Sequence, residues 1–238
     1  MPPRVFAQSV DDIVFMTENY PPFNFEKDGK LQGIATDLMV LILKKLDSKQ
    51  TLEDIRLLPW ARGYRLTLNQ KNTCLFATTR TAEREELFKW VGPITTTSIG
   101  LLARKERKVK IQSLADLKDY RAGVVRSDIG EQLLVNAGIP LQDLDRVGGT
   151  DATLTSITKL NKGRIDDWSY ETNVAKWEIK AKGFKVEEYE TVYVLKEGEL
   201  YFAFHKDTPQ ELLQQLQNAL DALKAQGTYQ NIIDKYLQ

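Results

Sequence analysis

The sequence predicts an α/β fold made of two successive strand-and-helix units and a helical C-terminal tail. Short apolar stretches alternate with segments whose apolar residues have helical spacing, and this alternation recurs in the second half of the chain. Such alternation favours a mainly parallel sheet with helical crossovers. No low-complexity linker divides the units. We therefore expect extended strands to cross between them near residues 99–103 and 200–205, which allows a hinge and a cleft for a ligand.

The composition is that of an ordinary folded protein. The 238 residues carry 33 basic and 33 acidic side chains, 42% are hydrophobic and 28% are charged. This balance argues against disorder, and a net charge of zero argues against nucleic-acid binding and polybasic membrane attachment. A single cysteine, Cys74, excludes an intramolecular disulfide, and a single histidine, His205, excludes histidine-rich metal sites. We expect no cofactor, no metal and no nucleic acid.

The chain shows no membrane-spanning pattern. Its longest apolar stretch, residues 38–43, is far shorter than the ~20 residues that cross a bilayer. Residues 1–8 contain no apolar region of secretory length. The protein is therefore either cytoplasmic or a mature form from which a signal peptide has been removed.

The first unit begins with a strand predicted at residues 13–17, followed by a turn-rich Tyr-Pro-Pro. Apolar residues at i, i+4, i+7 and i+8 from Ile34 then give one face of an amphipathic helix. The remaining elements predicted for this unit are a strand at 52–58, a helix at 61–69 and a strand at 74–78.

The second unit opens with an extended segment at residues 99–103. Ser113, with Asp116 three residues later, resembles a capping box that starts a short helix. The remaining elements are strands at 122–125, 165–168, 186–189 and 200–205, and helices at 131–136, 150–160 and 172–182, the first and last of these helices ended by Gly138 and Gly183.

The C-terminal tail is predicted to be helical throughout. Thr208 is placed as the N-cap, Pro209 as the first helical residue and Glu211 as the third. A leucine stripe over residues 212–223 indicates core packing. Gly227 breaks the pattern, and residues 229–237 form a final helix.

Several short motifs occur in a consistent order over nearly the whole chain. Residues 17–23 read Thr-Glu-Asn-Tyr-Pro-Pro-Phe and residues 33–38 read Gly-Ile-Ala-Thr-Asp-Leu. Residues 79–84 read Thr-Arg-Thr-Ala-Glu-Arg, with Gly-Pro following at 92–93. Residues 163–166 read Gly-Arg-Ile-Asp, and residues 227–230 read Gly-Thr-Tyr-Gln before a Lys-Tyr pair. Together they resemble the bacterial extracellular solute-binding proteins of the polar amino-acid family, although the second motif lacks that family's middle acid.

This resemblance implies a two-lobed, periplasmic-binding-protein-like type II fold, each lobe a mainly parallel sheet flanked by helices and joined by two crossover strands. Lobe 1 would comprise residues 1–98 plus 206–238, and lobe 2 residues 99–205. It also implies a monomeric periplasmic or extracellular protein that captures an amino acid or small carboxylate between the lobes. The expected partner is the membrane permease of an ABC transporter.

Arg84 is the first candidate ligand residue. Its planar guanidinium presents paired N–H donors that match a carboxylate. The competing interpretation is an exposed helix charge, because acidic residues crowd it on both sides. The resemblance implies that Arg84 grips the ligand's α-carboxylate, with the Thr79 hydroxyl and a backbone group of Ala77 beside it; otherwise these two simply end a strand.

The second lobe offers a loop and an acid. In the loop that contains Ser127, Asp128 and Ile129, backbone N–H groups would face an anion at a helix N-terminus. The family usually has glycine and threonine here, and an aspartate would repel a carboxylate unless it points away or serves an ammonium group. The resemblance places Glu171 against the ligand's ammonium, with Asp166 and Asp167 as rivals; the alternative role of Glu171 is to complement a helix dipole.

Aromatic residues supply candidate walls for the ligand's side chain. Tyr20, Phe23, Trp60 and Tyr64 follow strands, although Phe23 suits a core role equally well. Two further candidates, Arg62 and Arg80, would add positive charge if both face the cleft.

Three functions follow from these residues. A non-enzymatic solute receptor is the leading one, since no nucleophile–base pair is visible. An enzyme on the same scaffold, similar to the cyclohexadienyl dehydratases, would need a buried carboxylic acid such as Glu171 as its general acid. A ligand-sensing domain is the third.

Overall fold

The chain forms ten strands and eight helices within residues 9–237, the part that a computed structural model describes. The strands are β1 Val14–Thr17, β2 Phe25–Lys27, β3 Lys30–Gln32, β4 Arg56–Leu57, β5 Thr73–Thr79, β6 Phe88–Arg104, β7 Ala122–Val125, β8 Asp145–Val147, β9 Asp167–Glu171 and β10 Tyr189–His205. The helices are α1 Ile34–Lys45, α2 Trp60–Asn69, α3 Ala82–Glu85, α4 Ile129–Asn136, α5 Ala152–Asn161, α6 Thr172–Ala181, α7 Gln210–Ala225 and α8 Thr228–Leu237.

Eight strands form one mixed sheet in the order β4-β1-β5-β10-β6-β9-β7-β8, and β2 and β3 form a separate hairpin. The first trio, β4-β1-β5, is parallel throughout, and so is the second trio, β9-β7-β8. Between the trios, β10 runs antiparallel to β5 and β6 runs antiparallel to β9. The predicted α/β class with a mainly parallel sheet flanked by helices is confirmed.

The two central strands form a long antiparallel ribbon. β6 and β10 are 17 residues each, and they pair from Tyr189 opposite Arg104 to His205 opposite Phe88. Residues 99–103 of β6 also pair with β9, and residues 200–204 of β10 with β5. The ribbon thus connects the trios, while the lobe boundaries themselves stay a prediction.

The helices pack their apolar faces on the sheet. The buried residues of α1 include Ile34, Leu38 and Ile42, as the helical spacing predicts. The leucine stripe of α7 is also buried and joins the same cluster as Phe15 and Phe204 on the sheet.

Three predicted strands are wrong at their ends. Residues 52–54 form a 3-10 turn, because Thr51 and Asp54 make a reciprocal capping box, and the strand that follows is only two residues long. Residues 186–188 form another such turn before β10 begins. The strand expected at 165–168 lies two residues later, as β9.

The predicted start of α7 is also wrong. The helix begins at Gln210, Pro209 occupies the N-cap position, and the Thr208 hydroxyl has no hydrogen-bond partner among the described residues. The Thr208 amide instead closes a turn onto the His205 carbonyl, which holds the threonine outside the helix. The hairpin β2-β3, the short helix α3 and the strand β8 were not predicted.

Residues 9–237 contain no helix that is both long and apolar enough to cross a membrane. Within the same range, no group of three or more His, Cys, Asp or Glu side chains is arranged to hold a metal ion. The prediction about residues 1–8 lies outside the described residues.

Candidate functional site

The carboxyl ends of the two parallel trios face each other across a gap, and loops from both sides meet there. Tyr20 follows β1, Tyr170 lies near the end of β9, and their rings touch edge to face with centroids 5.6 Å apart. The indole Nε1 of Trp60 donates to the Ser127 carbonyl oxygen across 2.8 Å. Asn19 Nδ2 donates to Glu178 Oε1 across 3.4 Å. Ligands of open α/β sheets bind at this edge.

Arg84 lies at the centre of this junction and is only 1% exposed. Its Nη1 donates to the Thr79 carbonyl at 3.1 Å, and its Nε donates to Gln132 Oε1 on α4 at 3.0 Å. The guanidinium carbon lies 5.5 Å from the Trp60 ring centre and 5.2 Å from that of Tyr64. Burial lowers the pKa of Arg84, which Tyr64 and Asp128 oppose. This arginine therefore connects the two sides through protein groups.

Thr79 and Ala77 lie near the end of β5, and Thr79 contacts Arg84. The contribution of Thr79 to Arg84 is its backbone carbonyl. Ala77 has a φ of +53°, which is rare for a non-glycine residue, and lies where the pairing of β5 with β10 shifts register. The bulge turns the end of β5 away from a regular ladder.

The loop before α4 is closed by its own side chains. Asp128 is 5% exposed, forms the N-cap of α4, and accepts from the Gly130 amide at 3.3 Å. The Ser127 amide donates to Glu131 Oε1 at 2.9 Å, and Ile129 is the first residue of the helix. Burial raises the pKa of Asp128, and the Arg84 charge opposes this.

Glu171 is fully buried at the end of β9 and acts as the N-cap of α6. Its carboxylate accepts from the Val174 amide at 2.6 Å, the Ser98 amide at 3.3 Å and Asn173 Nδ2 at 3.3 Å. Burial raises the pKa of Glu171, and these donors lower it. The predicted alternative role, at a helix N-terminus, is thus the one that its contacts support.

The rival acids lie at the opposite end of β9, away from the junction. Asp166 forms an ion pair with Arg107 and accepts from the Arg121 amide at 2.9 Å. Asp167 is fully buried, and neither of its oxygens has a hydrogen-bond partner among residues 9–237. Burial, and to a smaller extent Asp166, raises the pKa of Asp167 to about 7. Asp167 is the first residue of β9 and Glu171 is the last, so four positions separate the two acids along the strand.

The aromatic candidates form two separate clusters, one around Tyr20 and the other around Trp60. Tyr20 contacts Phe23 and Tyr170, and Trp60 contacts Tyr64 with ring centroids 5.5 Å apart. Phe23 is 2% exposed and belongs to the core, the role that the sequence also allowed. Trp60 and Tyr170 also border the cavity described below.

The structure does not bring Arg62 and Arg80 to the junction together. Arg62 is exposed on α2. Arg80 forms an ion pair with Glu85 at 2.5 Å, and its guanidinium lies over the rings of Trp90 and Tyr201. Arg80 borders a different depression, shared with Lys89 and Lys206. Glu85 and Glu86 lie five and six positions after Arg80. The sequence could not show that Arg80 would pair with Glu85.

A cavity of about 360 Å³ lies between the two sides. Residues that follow β1 and β4 form one wall, and residues that follow β7 and β8 form the other, with Tyr170 at the back. Its lining is Glu18, Asn19, Glu26, Leu57, Leu58, Pro59, Trp60, Ala61, Val125, Arg126, Gly148, Gly149, Thr150, Ala152, Thr153 and Tyr170. The volume suits a small molecule of amino-acid size.

The charged residues of this lining were missed by the sequence analysis. Glu18 is half-buried, and burial followed by the Asp128 charge raises the pKa of Glu18 well above its usual range. Arg126 is exposed and packs its methylene groups over Gly148. Glu18 directly follows the strand predicted at residues 13–17, and Arg126 directly follows the strand predicted at 122–125. Their positions at strand ends could have identified them as candidate site residues. No feature of the sequence identified Gln132, the partner of Arg84.

The sequence matches the model of a known protein family. That family is described as "Bacterial extracellular solute-binding proteins, family 3", and its model matches residues 13–238. A probable histidine-binding protein of Campylobacter jejuni is 25% identical over 92% of this chain and 81% of its own length. The ABC transporter arginine-binding protein 1 of Escherichia coli K12 is 24% identical over 97% of this chain and 92% of its own.

Solved structures show the same fold. An ancestral arginine-binding protein bound to glutamine superposes with a TM-score of 0.76 at 25% identity, covering 94% of this chain and 97% of that one. A histidine kinase sensor domain with similarity to periplasmic binding proteins gives a TM-score of 0.81 at 19% identity, covering 94% and 96%. Because the family model matches residues 13–238, nearly the whole chain, the protein belongs to the bacterial extracellular solute-binding proteins, family 3.

Proposed function

We propose that this protein is a solute receptor that captures an amino acid or a related small molecule in the cavity between its two lobes. The observation that carries the proposal is the cavity of about 360 Å³, whose walls come from both sides of the central ribbon. A ligand there contacts both lobes at once, so it binds the closed arrangement more tightly than an open one.

One property of the relatives and one of the cavity support the ligand class. Their printed names are histidine-binding, amino-acid-binding and arginine-binding proteins. The aromatic wall formed by Trp60 and Tyr170 suits a molecule with an ammonium group and a non-polar part. We extend the proposal to a monomer in the periplasm or outside the cell, which delivers its ligand to the membrane permease of an ABC transporter.

The test is a thermal-shift screen of the purified protein against the common amino acids, small dicarboxylates and prephenate. A ligand at 100 times its Kd that binds only the folded state adds about 2.7 kcal/mol to the free energy of unfolding, which raises Tm measurably. We expect a rise with one class of amino acids. A screen in which no amino acid or related compound raises Tm would overturn the proposal.

A further inference from the structure

The exposed face of α6 carries lysines and a tryptophan. Asn173, Lys176, Trp177 and Lys180 are exposed and follow one another at i, i+3, i+4 and i+7, which places them on one face of the helix. The opposite face, which includes Ile179, is buried in the core. Solvent therefore meets a strip of basic and aromatic side chains.

The segment after α6 continues this strip. Gly183 has a φ of +81°, and the amides of Gly183 and Phe184 donate to the Lys180 and Ile179 carbonyls at 3.0 and 3.1 Å. This turn ends the helix, and Phe184 and Lys185 line one depression of about 620 Å³ together with residues of α6. We call the exposed side chains of Lys176, Trp177, Lys180, Lys182, Phe184 and Lys185 the α6 patch.

The four lysines of the α6 patch lack charged partners. None of their ammonium groups forms a hydrogen bond or an ion pair within residues 9–237. Glu178 on the same helix is buried; burial raises its pKa, and Lys182 opposes this without forming an ion pair. Glu187 is the one acid among the described residues that border the depression. The patch therefore has a local excess of positive charge.

A structural role accounts for only part of this charge. Lys180 and Lys182 lie at the C-terminal end of α6, where a positive charge interacts favourably with the helix dipole. Lys176 lies in the middle of the helix and Lys185 lies beyond it, so the dipole does not explain them. The chain as a whole is neutral, but electrostatic attraction at a surface falls off within about 10 Å at 0.1 M salt. The local excess therefore decides what binds here.

Two aromatic side chains are exposed among these lysines. Trp177 and Phe184 are 36% and 39% exposed, although Trp177 also packs against Phe25 with ring centroids 5.1 Å apart. Lysine and tryptophan each combine an apolar body with a polar end. This combination suits the headgroup region of a bilayer, where tryptophan is enriched.

The α6 patch has charge and apolar surface but few groups for directional hydrogen bonds. Asn173, the other polar side chain of the strip, donates to Glu171, and the amides of residues 183 and 184 are bonded within the turn. Ammonium groups and aromatic rings contact lipid headgroups in any arrangement, whereas an added peptide strand needs donors and acceptors at fixed positions. The chemistry of the patch therefore favours a bilayer over a protein segment.

We propose that the α6 patch attaches the protein reversibly to the surface of a bilayer that contains anionic phospholipids. The four lysines contact headgroup phosphates, and Trp177 and Phe184 enter the headgroup layer. Four lysines are at the lower limit of the basic clusters that bind anionic lipids, so the attachment is weak and depends on salt. No residue lines both this depression and the cavity between the parallel trios, so the attachment leaves that cavity free.

Vesicle flotation tests the charge requirement. The protein is mixed with vesicles of phosphatidylglycerol and phosphatidylcholine in equal parts, or of phosphatidylcholine alone, at low ionic strength and at about 0.15 M salt. The variant combines Lys176→Gln with Lys180→Gln. Its matched control combines Lys44→Gln with Lys45→Gln, two exposed lysines at the end of α1.

We expect the wild type to float with the anionic vesicles and not with phosphatidylcholine alone, and salt should weaken the binding. The variant at Lys176 and Lys180 should bind about 25-fold more weakly, because each lysine close to an anionic surface contributes about fivefold. The α1 control should bind like the wild type. Circular dichroism of each variant establishes that it is folded.

Tryptophan fluorescence tests the entry of the aromatic residues. Anionic vesicles should shift the emission of the wild type to shorter wavelengths, and Trp177→Phe should abolish this shift while the protein still floats. Phe184→Ala should weaken flotation about fivefold, because it removes apolar surface that the headgroup layer covers. Leu141→Ala, at a residue that is 41% exposed elsewhere in the second half of the chain, should not.

The proposal is wrong if the wild type does not float with anionic vesicles at low salt, or if it floats equally with phosphatidylcholine alone. It is also wrong if the α1 control loses as much binding as the variant at Lys176 and Lys180. Binding to polyglutamate in place of vesicles would assign the α6 patch to an acidic protein. Flotation needs no amino acid, so its failure leaves the proposed receptor function to be decided by the thermal-shift screen.

Discussion

Trp60 Nε1 donates a hydrogen bond to the Ser127 carbonyl across 2.8 Å, and Gln132 Nε2 donates to the same oxygen across 3.2 Å. Trp60 begins α2 on one side of the cleft, and Ser127 precedes α4 on the other. Ser127 has a φ of +61°, a left-handed conformation that is uncommon for a residue with a side chain. One strained carbonyl thus receives donors from both sides of the cleft.

Trp60→Phe tests this link. The substitution removes the indole N–H and keeps an aromatic ring against Arg84 and Tyr64. We expect a loss of about 1 kcal/mol in the closed arrangement, and hence a Kd for the bound amino acid raised about fivefold. Titration calorimetry measures it, with Trp177→Phe on the surface of α6 as the control. An unchanged Kd would mean that the hydrogen bond does not contribute to closure.

Asp167→Asn tests the buried acid without a partner. Its pKa is raised from 3.8 to about 7 in the folded protein. Below about pH 4 the carboxyl is protonated in both states and costs nothing. Between about pH 4 and pH 7 the unfolded state ionises and the folded state does not, so the free energy of unfolding falls as pH rises; above pH 7 the loss is constant.

We therefore expect Asp167→Asn to be more stable than the wild type at pH 8, by on the order of 2–4 kcal/mol, and nearly equal to it at pH 4. Urea unfolding at a series of pH values measures the difference. The matched control is Asp119→Asn, the same substitution at an exposed position. A difference of the same size at both pH values would assign the effect to packing and contradict the titration.

Arg80→Ala should leave ligand affinity unchanged. Arg80 is held by Glu85 and by the rings of Trp90 and Tyr201, away from the cavity that contains Glu18. The expected cost is confined to stability, about 0.5–1 kcal/mol in urea unfolding, because the ion pair is partly exposed. A Kd that rises more than about threefold would place Arg80 in the binding site.

Prephenate should not be converted to phenylpyruvate. A dehydratase of this fold would need Glu171 as a proton donor facing the substrate, and both of its oxygens instead accept hydrogen bonds from Val174, Ser98 and Asn173. The assay follows phenylpyruvate absorbance at about pH 6 and pH 8. Turnover that disappears in Glu171→Gln would identify an enzyme and contradict the receptor function.

The sequence predicted the fold because its signals are local. The helical spacing that begins at Ile34 and the capping box of Ser113 and Asp116 operate within one or two turns, and both are present in the structure. The capping box of Thr51 forms a 3-10 turn where the apolar pattern predicts a strand. Pro209 is the N-cap of α7, so the helix begins one residue later than predicted. These local competitions explain the errors at element ends.

The contacts of the site were not local and could not be predicted in the same way. Arg84 donates to the carbonyl of Thr79, five residues before it, but its other partner, Gln132, is 48 residues away. Nothing in the spacing of Glu18 and Arg126 shows that they border one cavity. Pairings across the cleft depend on how the second trio is turned toward the first.

The central ribbon also has a consequence for how the protein is made. β10 lies in the middle of the sheet between β5 and β6, yet it is the last strand along the chain. A nascent chain that has emerged only as far as residue 188 holds β5 and β6 without their shared neighbour, each with an open row of backbone donors and acceptors. Translation must therefore proceed through residue 205 before the sheet can close, and until then the growing chain is a substrate for chaperones and for unwanted strand pairing.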